Sequence, residues 1–256
     1  MADKTLNTTQ IARAIGMHPN TVRLYEAWGF LPAVPRSPAG YRRFTERHLD
    51  QMQLARAALH GGWPGKAIRE SALALVRQAA SGDLDAALTL AREHQALVQT
   101  ERARAEVAAQ TVQRWAEGIL PESAIRPLCI GAAAKLLGLT VDTVRGWERE
   151  GLLRVPRDPD NGYRRYGPAE IGRLRVVRML RLAGYSTMAI LRMLLQLDSG
   201  EGRDVAAALD TPRPDEDVYI AADRWLTTLA EQEQRASELI MLVEAMVRKY
   251  VPSATV

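Results

Sequence analysis

Cysteine is almost absent from this 256-residue chain: Cys129 stands alone. No disulfide can form within one chain and no four-thiolate metal site can be assembled from it, which fits a reducing compartment. Histidine is scarce too, with four residues scattered at His18, His48, His60 and His94, and no metal-ligand spacing among them. P-loop, dinucleotide glycine fingerprint and nucleophile elbow are all missing, so neither an enzyme nor a cofactor is expected. No run of about 18 uncharged apolar residues occurs, and the polar stretch from Met1 to Gln10 has no apolar segment to act as a secretory signal. We therefore expect a cytoplasmic protein without membrane contact. What is present is 47% hydrophobic and 25% charged, the balance of a soluble globular chain long enough for one large domain or two to three small ones.

The net charge of +4 is modest but unevenly spread. Residues 1–75 carry ten Lys/Arg against five Asp/Glu, and residues 128–198 carry twelve against seven. Residues 76–127 are near neutral and residues 199–256 are acidic. Two separate basic bodies are what attraction to a phosphate backbone requires, because it acts locally; soluble basic faces are also common, and charge alone leaves both readings open.

Sliding the chain by 122 residues uncovers a duplication. Residues 8–44 align without a gap to residues 130–166, and twelve of those 37 pairs are identical. Thr21-Val22-Arg23 with Glu26 lies over Thr143-Val144-Arg145 with Glu148, and Gly40-Tyr41-Arg42-Arg43 over Gly162-Tyr163-Arg164-Arg165. The register continues through Leu49/Ile171, Arg56/Arg178, Gly62/Gly184, Trp63/Tyr185 and Ile68/Ile190. Each repeat thus spans about 65 to 70 residues and contains more than one helix pair.

Within a repeat, Thr9 to Ile15 reads as a short helix broken by Gly16, and a second runs from about Asn20 to Trp28 before Gly29. Thr140 is a plausible N-cap for the matching helix Val141 to Glu150, ended by Gly151. Two short helices across a tight turn make a helix-turn-helix. Leu31–Val34 and Leu153–Val155 read as short extended runs, each followed by a turn-rich stretch and a Tyr-Arg-Arg-aromatic return. The pattern predicts a small hairpin wing with two arginines at its base.

These motifs resemble the MerR family of bacterial transcription regulators. The resemblance rests on Thr21-Val22-Arg23-Leu24-Tyr25-Glu26, Gly29-Phe30-Leu31 and Gly40-Tyr41-Arg42-Arg43-Phe44, with their counterparts in the second copy, and on Leu182-Ala183-Gly184-Tyr185-Ser186 before Ile190. It implies a mainly α fold of two winged helix-turn-helix domains, each followed by a long helix. The expected boundaries are 1–75 for the first DNA-binding domain, 76–127 for a long helix and linker, 128–198 for the second domain, and 199–256 for an acidic loop and C-terminal long helix. Members bind double-stranded DNA between promoter elements and bend or untwist the spacer for RNA polymerase.

A helix in the major groove presents donors to base edges while arginines beside it grip phosphate. Helix exposure in the first repeat singles out His18, Asn20, Thr21, Arg23 and Leu24. The resemblance adds Tyr25, Tyr41, Arg42, Arg43 and Arg56 as DNA contacts, and Thr143, Arg145, Trp147, Tyr163, Arg164, Arg165 and Arg178 in the second repeat. Tyr41 and Tyr163 are equally readable as core residues anchoring the wing. Phe44, Tyr166, Val22 and Val144 read as core, and Glu26 and Glu148 as partners of a local arginine or cap. Asp142 replaces Asn20 and Gly146 replaces Leu24, so the two repeats should read different sequences, the second more weakly. Cys129 reads as a small buried hydrophobe.

Residues 84–117 show an apolar stripe through Leu84, Leu88, Ala91, Leu97 or Val98, Ala105, Val112 and Trp115, and residues 221–249 another through Trp225, Leu229, Ala236, Leu239, Val243 and Met246. We expect these long helices to form an antiparallel coiled coil. The second repeat starts about ten residues after the first long helix, across Gly118 to Glu122, which makes closure onto the same chain entropically cheap. A monomer acting as an internal pseudo-dimer is expected, with a homodimer as the alternative. Residues 199–217 read as a loop or broken helix. Trp115 and Trp225 either seal the helix interface or line a pocket for an effector of unknown identity. The rival functions are an architectural or recombination-associated DNA-binding protein and an interaction adaptor that no longer binds DNA.

Overall fold

A computed structural model describes residues 5–61, 65–118, 126–200, 204–212 and 223–251. Gly62, Trp63 and most of the expected 118–122 linker lie outside the described residues, as do parts of the 199–217 stretch. The described residues form eleven helices: α1 (Thr8–Ala14), α2 (Pro19–Ala27), α3 (Glu46–Leu59), α4 (Lys66–Ser81), α5 (Leu84–Ala116), α6 (Ile130–Leu136), α7 (Val141–Arg149), α8 (Pro168–Leu182), α9 (Thr187–Ser199), α10 (Val205–Asp210) and α11 (Trp225–Tyr250). The expected broken helix after residue 199 contains α10, capped by Asp204.

The local chemistry behind each helix-turn-helix is legible. Asn7 caps α1 and exchanges hydrogen bonds with Gln10, while Pro19 at the first position of α2 costs no intrahelical bond. Gly16 and Gly138 turn the chain at φ +63° and +61°, where a side chain would be strained. Thr140 caps α7, accepting from the backbone of Thr143. Cys129, expected to be buried, is exposed at the N-cap of α6; a cap sits at the end of a helix, where its side chain is not enclosed by packing.

No wing forms. Among the described residues there is no β-strand, and each expected hairpin is a loop closed by one isolated antiparallel bridge, Arg36 with Arg42 and Arg157 with Arg164. The units are therefore helix-turn-helix domains without the strands of a winged fold. The reason lies in the prolines: Pro35 and Pro38, like Pro156 and Pro159, supply no backbone donor, so the ladder cannot extend past a single pair. A second bridge ties the start of each repeat to its loop, Leu6 with Phe44 and Leu128 with Tyr166.

These loops also correct the ungapped alignment. Arg43 donates its backbone N–H to Pro35 at 2.9 Å and Arg165 to Pro156 at 2.9 Å; Ser37 donates to Tyr41 and Asp158 to Tyr163, each at 2.7 Å. Val34-Pro35-Arg36-Ser37-Pro38 therefore matches Val155-Pro156-Arg157-Asp158-Pro159. The second repeat is one residue shorter before this segment and one longer after it, and the two changes cancel.

The chain divides into two compact units: residues 1–100 with 229–256, and residues 101–228. In the first, the core runs from Ile11, Val22, Phe30 and Phe44 through Met52, Leu54, Leu75 and Val76 to Leu239, Val243 and Met246 of α11. Here α11 runs antiparallel to α5: Arg92 meets Glu244, Gln95 donates to Ser237 at 3.0 Å and Gln99 to Glu233 at 3.2 Å. Lys249 and Tyr250, at the end of α11, hold Asp50 of α3 at 2.8 and 2.6 Å. The second unit packs the later half of α5 on α8 and α9: Tyr185 donates its hydroxyl to the Ala105 carbonyl, and the Trp115 indole lies over Gly172. Trp225 donates to the Ala183 carbonyl and covers Gly184. Buried Arg192 gathers the carbonyls of Ala208, Leu209 and Asp223, stitching α9 to α10.

Candidate nucleic-acid interface

The recognition helices α2 and α7 are built alike. Each turns a valine fully inward, Val22 and Val144, with an aromatic one turn later, Tyr25 and Trp147. That stripe fixes the helix on its unit and leaves the opposite face to solvent. On the free face of α2 stand Asn20, Arg23 and Leu24, with Arg23 donating to the Asn20 amide oxygen at 2.9 Å. His18 is the N-cap, its Nδ1 accepting from the Asn20 backbone at 3.2 Å. Thr21 is half-buried. On α7, Arg145 pairs with Asp142 at 3.6 Å, and the Thr143 hydroxyl, also half-buried, bonds that of Thr140 at 2.7 Å.

Glu26 and Glu148 are the partners of local arginines. Glu26 takes Arg42 at 2.5 Å and Arg36 at 2.8 Å; Glu148 takes both its oxygens to Arg164 Nε at 2.9 and 2.8 Å. The hydrogen bond and charge of Glu148 raise the Arg164 pKa above its ordinary value. One arginine of each expected pair thus fastens its loop to the recognition helix. The next one, Arg43 or Arg165, is exposed.

Tyr41 and Tyr163 are each 75% exposed at the loop tips and anchor no core. Tyr25 and Trp147 lie on the inner side, at 6% and 9% exposure, and burial pushes the Tyr25 hydroxyl up, partly offset by nearby Arg56. Phe44 and Tyr166 are fully enclosed, as expected. Arg56 donates to the Ile15 carbonyl at the end of α1, and Arg178 lies beside Gly138 as Arg56 lies beside Gly16. The structure thus brings the exposed group of each repeat, one recognition-helix arginine with the loop arginine and tyrosine, onto segments joined by the buried-side glutamate. Arg36, Arg157 and Asp158 were missed by the sequence reading. Their shared Val-Pro-Arg-x-Pro segment was the available signal, hidden by an ungapped register.

Trp115 and Trp225 each pack on a glycine, Gly172 and Gly184. A hollow of about 610 Å³ in the second unit is lined by Glu106, Gln113, Arg114, Asp204 and Leu226 among others. No helix of the described residues is long and apolar enough to cross a membrane.

The description "MerR HTH family regulatory protein" matches residues 6–75 and again 128–197. A mercuric resistance operon regulatory protein of Serratia marcescens is 36% identical over 124 residues, covering 48% of this chain and 82% of that protein. A probable heavy metal-dependent transcriptional regulator of Haemophilus influenzae is 26% identical over 115 residues, covering 45% and 81%. The HTH-type transcriptional repressor CarH of Myxococcus xanthus is 29% identical over 113 residues, covering 43% and 38%. No solved structure matches the chain. With two matched segments spanning more than half of its length, each carrying the exposed recognition helix just described, this chain belongs to the MerR family and is a sequence-specific DNA-binding transcription regulator, not an enzyme.

Proposed function

We propose that one chain binds one imperfect inverted repeat at a promoter, inside the cell, as an internal pseudo-dimer. The DNA-binding domains are residues 1–75 and 128–198, with α2 and α7 in the major groove. His18, Asn20, Thr21 and Arg23 are the α2 contacts, and Thr143 and Arg145 those of α7. Tyr41 and Arg43, and Tyr163 and Arg165, meet phosphate from the loops. Arg42 and Arg164 position those loops through Glu26 and Glu148, and Tyr25 and Trp147 set the helices from behind. Arg56 and Arg178 approach the backbone from the second helix pairs.

The observation that carries the single-chain reading is the antiparallel pairing of α5 with α11 through Gln95–Ser237 and Gln99–Glu233. Relatives that match half of this chain over most of their own length support it. Bending or untwisting an over-long promoter spacer for RNA polymerase costs several kcal/mol, and paired long helices supply the stiffness this requires. The mercury named in the relatives does not carry over on the same chemistry, because soft metals select clustered thiolates and Cys129 is the chain's only one.

The test is sequencing of genomic fragments retained by the purified full chain, followed by the mass of the complex on an enriched site. Enrichment of one inverted repeat between promoter elements, with one chain bound per site, is expected. Retention that scales only with fragment length would overturn the promoter role in favour of an architectural protein, and two chains per site would overturn the pseudo-dimer. Arg43→Ala with Arg165→Ala should flatten the salt dependence of binding by about two in slope.

A further inference from the structure

The two repeats carry the same excess of positive charge over their whole lengths, yet not on the segments that face DNA. Residues 18–44 hold four arginines against Glu26 as the single acid, whereas residues 140–166 hold six arginines against five acids. All but Glu148 sit where the first repeat is neutral, and two of them meet the arginines proposed to contact DNA. Asp142 stands at the register of Asn20 and engages Arg145; Asp158 stands at the structural register of Ser37 and engages Arg165 at 3.3 Å. In the first repeat, Arg23 bonds only the uncharged Asn20 amide, and Arg43 has no carboxylate partner among the described residues. The two arginines proposed to meet DNA in the second repeat, Arg145 and Arg165, are thus each met by an aspartate, and their counterparts Arg23 and Arg43 in the first are not.

We infer that Asp142 and Asp158 are specificity-determining residues that weaken the second DNA-binding domain, making the protein read a strong half-site with α2 and a degenerate one with α7. This rests on the proposed contacts of Arg23, Arg43, Arg145 and Arg165. The ion pairs themselves, exposed at Asp142 and half-buried at Asp158, are weak at a surface; their effect arises when DNA arrives. Each aspartate opposes phosphate directly, and its arginine must leave it before releasing a counterion. Asp142 also accepts from base edges where Asn20 both donates and accepts, which narrows the bases that position 142 tolerates. Gly146 removes the apolar contact that exposed Leu24 offers to a thymine methyl. Asp142 lies in the first turn of α7, where an acid favours the helix dipole. A purely structural role there predicts a loss of stability in Asp142→Asn and no change on DNA.

The experiment uses the full chain and DNA selected from a random-sequence library. Sites selected by the wild type should be informative in one half, where single base changes cost at least tenfold in affinity. The other half should tolerate changes within about threefold. Asp142→Asn with Asp158→Ser should tighten binding several-fold, steepen the salt dependence and restore information to the weak half. The reciprocal Asn20→Asp with Ser37→Asp should weaken the strong half, which keeps the test decisive if the first pair folds poorly. Equally informative halves in the wild type, or unchanged affinity in both variants, would overturn the inference. Selection of no preferred sequence at all would instead overturn the contacts on which it rests.

Discussion

At one register of the duplication the first repeat carries Gln51 and the second Arg173. Gln51 is fully enclosed, and its amide donates to the carbonyls of Phe30 and Val76 at 2.9 Å each, tying the exit of the recognition helix to α4. Arg173 makes the matching tie, from Nε to the Leu152 carbonyl at 2.8 Å and from its terminal nitrogens to the carboxylate of Asp198 at 2.7 and 2.9 Å. Leu152 and Asp198 are the register mates of Phe30 and Val76. The same span is bridged in one unit by a dry amide and in the other by a half-wet ion pair. Two further positions repeat the lesson. His48 and Glu170 each accept from the backbone N–H three residues before, Thr45 at 3.0 Å and Gly167 at 2.8 Å. Asp50 receives the end of α11, while Gly172 receives Trp115 from the end of α5. Duplicated geometry was kept and the chemistry that holds it was not, so the two units should fail under different conditions.

The sharpest break in this comparison is truncation at the shared tie. Gln51→Ala leaves the Phe30 carbonyl without its donor, removes the second bond on the Val76 carbonyl and opens a small cavity, and should destabilise the first unit by about 3 kcal/mol. Arg173→Ala exposes its carbonyl to water at the rim and gives up a pair with half-exposed Asp198; a loss of about 1 to 2 kcal/mol is expected in the second unit. Urea unfolding followed by hydrogen exchange in each unit measures both. Only the Arg173→Ala loss should shrink in high salt.

Acid separates the units next. All four histidines lie in the first one. His48 is buried against the Ala33 carbonyl and His94 against the Ser71 hydroxyl, and burial lowers the pKa of both below 6.5. For a histidine depressed on folding, stability is complete above the unfolded value near 6.5. It is lost as pH falls from there toward the folded value, because only the unfolded chain takes the proton. His48 also loses the acceptor that caps α3 once protonated, whereas Glu170 keeps its own until carboxylates protonate. Hydrogen exchange between pH 7 and 5 should therefore show faster opening confined to the first unit, residues 5–61, 65–100 and 229–251. Equal acceleration in both units would show that the histidines do not set the difference.

Much of this was written in the sequence, and what was hidden has a common cause. Helices, the cap of α7 and the duplication follow from periodicity, Thr140 and the paired glycines, and Glu26 and Glu148 were identifiable as arginine partners because exposed acids beside DNA would be repelled. The wing failed because turn residues and a Tyr-Arg-Arg return describe a reversal of direction, while strand formation needs backbone donors that the prolines remove. Tyr41 and Tyr163 were ambiguous because an aromatic after a turn is amphipathic by nature. Gln51, His48 and Arg192 were invisible: a single polar residue on a helix reads as solvent-facing, and the carbonyls that enclose it come from elsewhere in the chain. Comparing repeats would have exposed Gln51, since Arg173 at its register meets Asp198 where the first repeat has an apolar Val76.

The smallest difference concerns one oxygen atom. Phe44 and Tyr166 occupy the same enclosed site and make the same backbone bridge to the start of their repeats, Leu6 and Leu128. The Tyr166 hydroxyl has no hydrogen-bond partner among the described residues, and burial, followed by the charge of Glu148, raises its pKa. Phe44 demonstrates that the ring alone serves the site, so the hydroxyl contributes desolvation cost without a compensating bond. Tyr166→Phe should stabilise the second unit by about 1 kcal/mol, with an unchanged denaturant slope and unchanged DNA affinity. If the variant is instead less stable, the hydroxyl is satisfied after all. Weaker DNA binding without a stability change would place it in the electrostatic environment of Glu148 and Arg164, the pair that holds the loop to the recognition helix, and the two repeats would then differ in function at a site where their packing is the same.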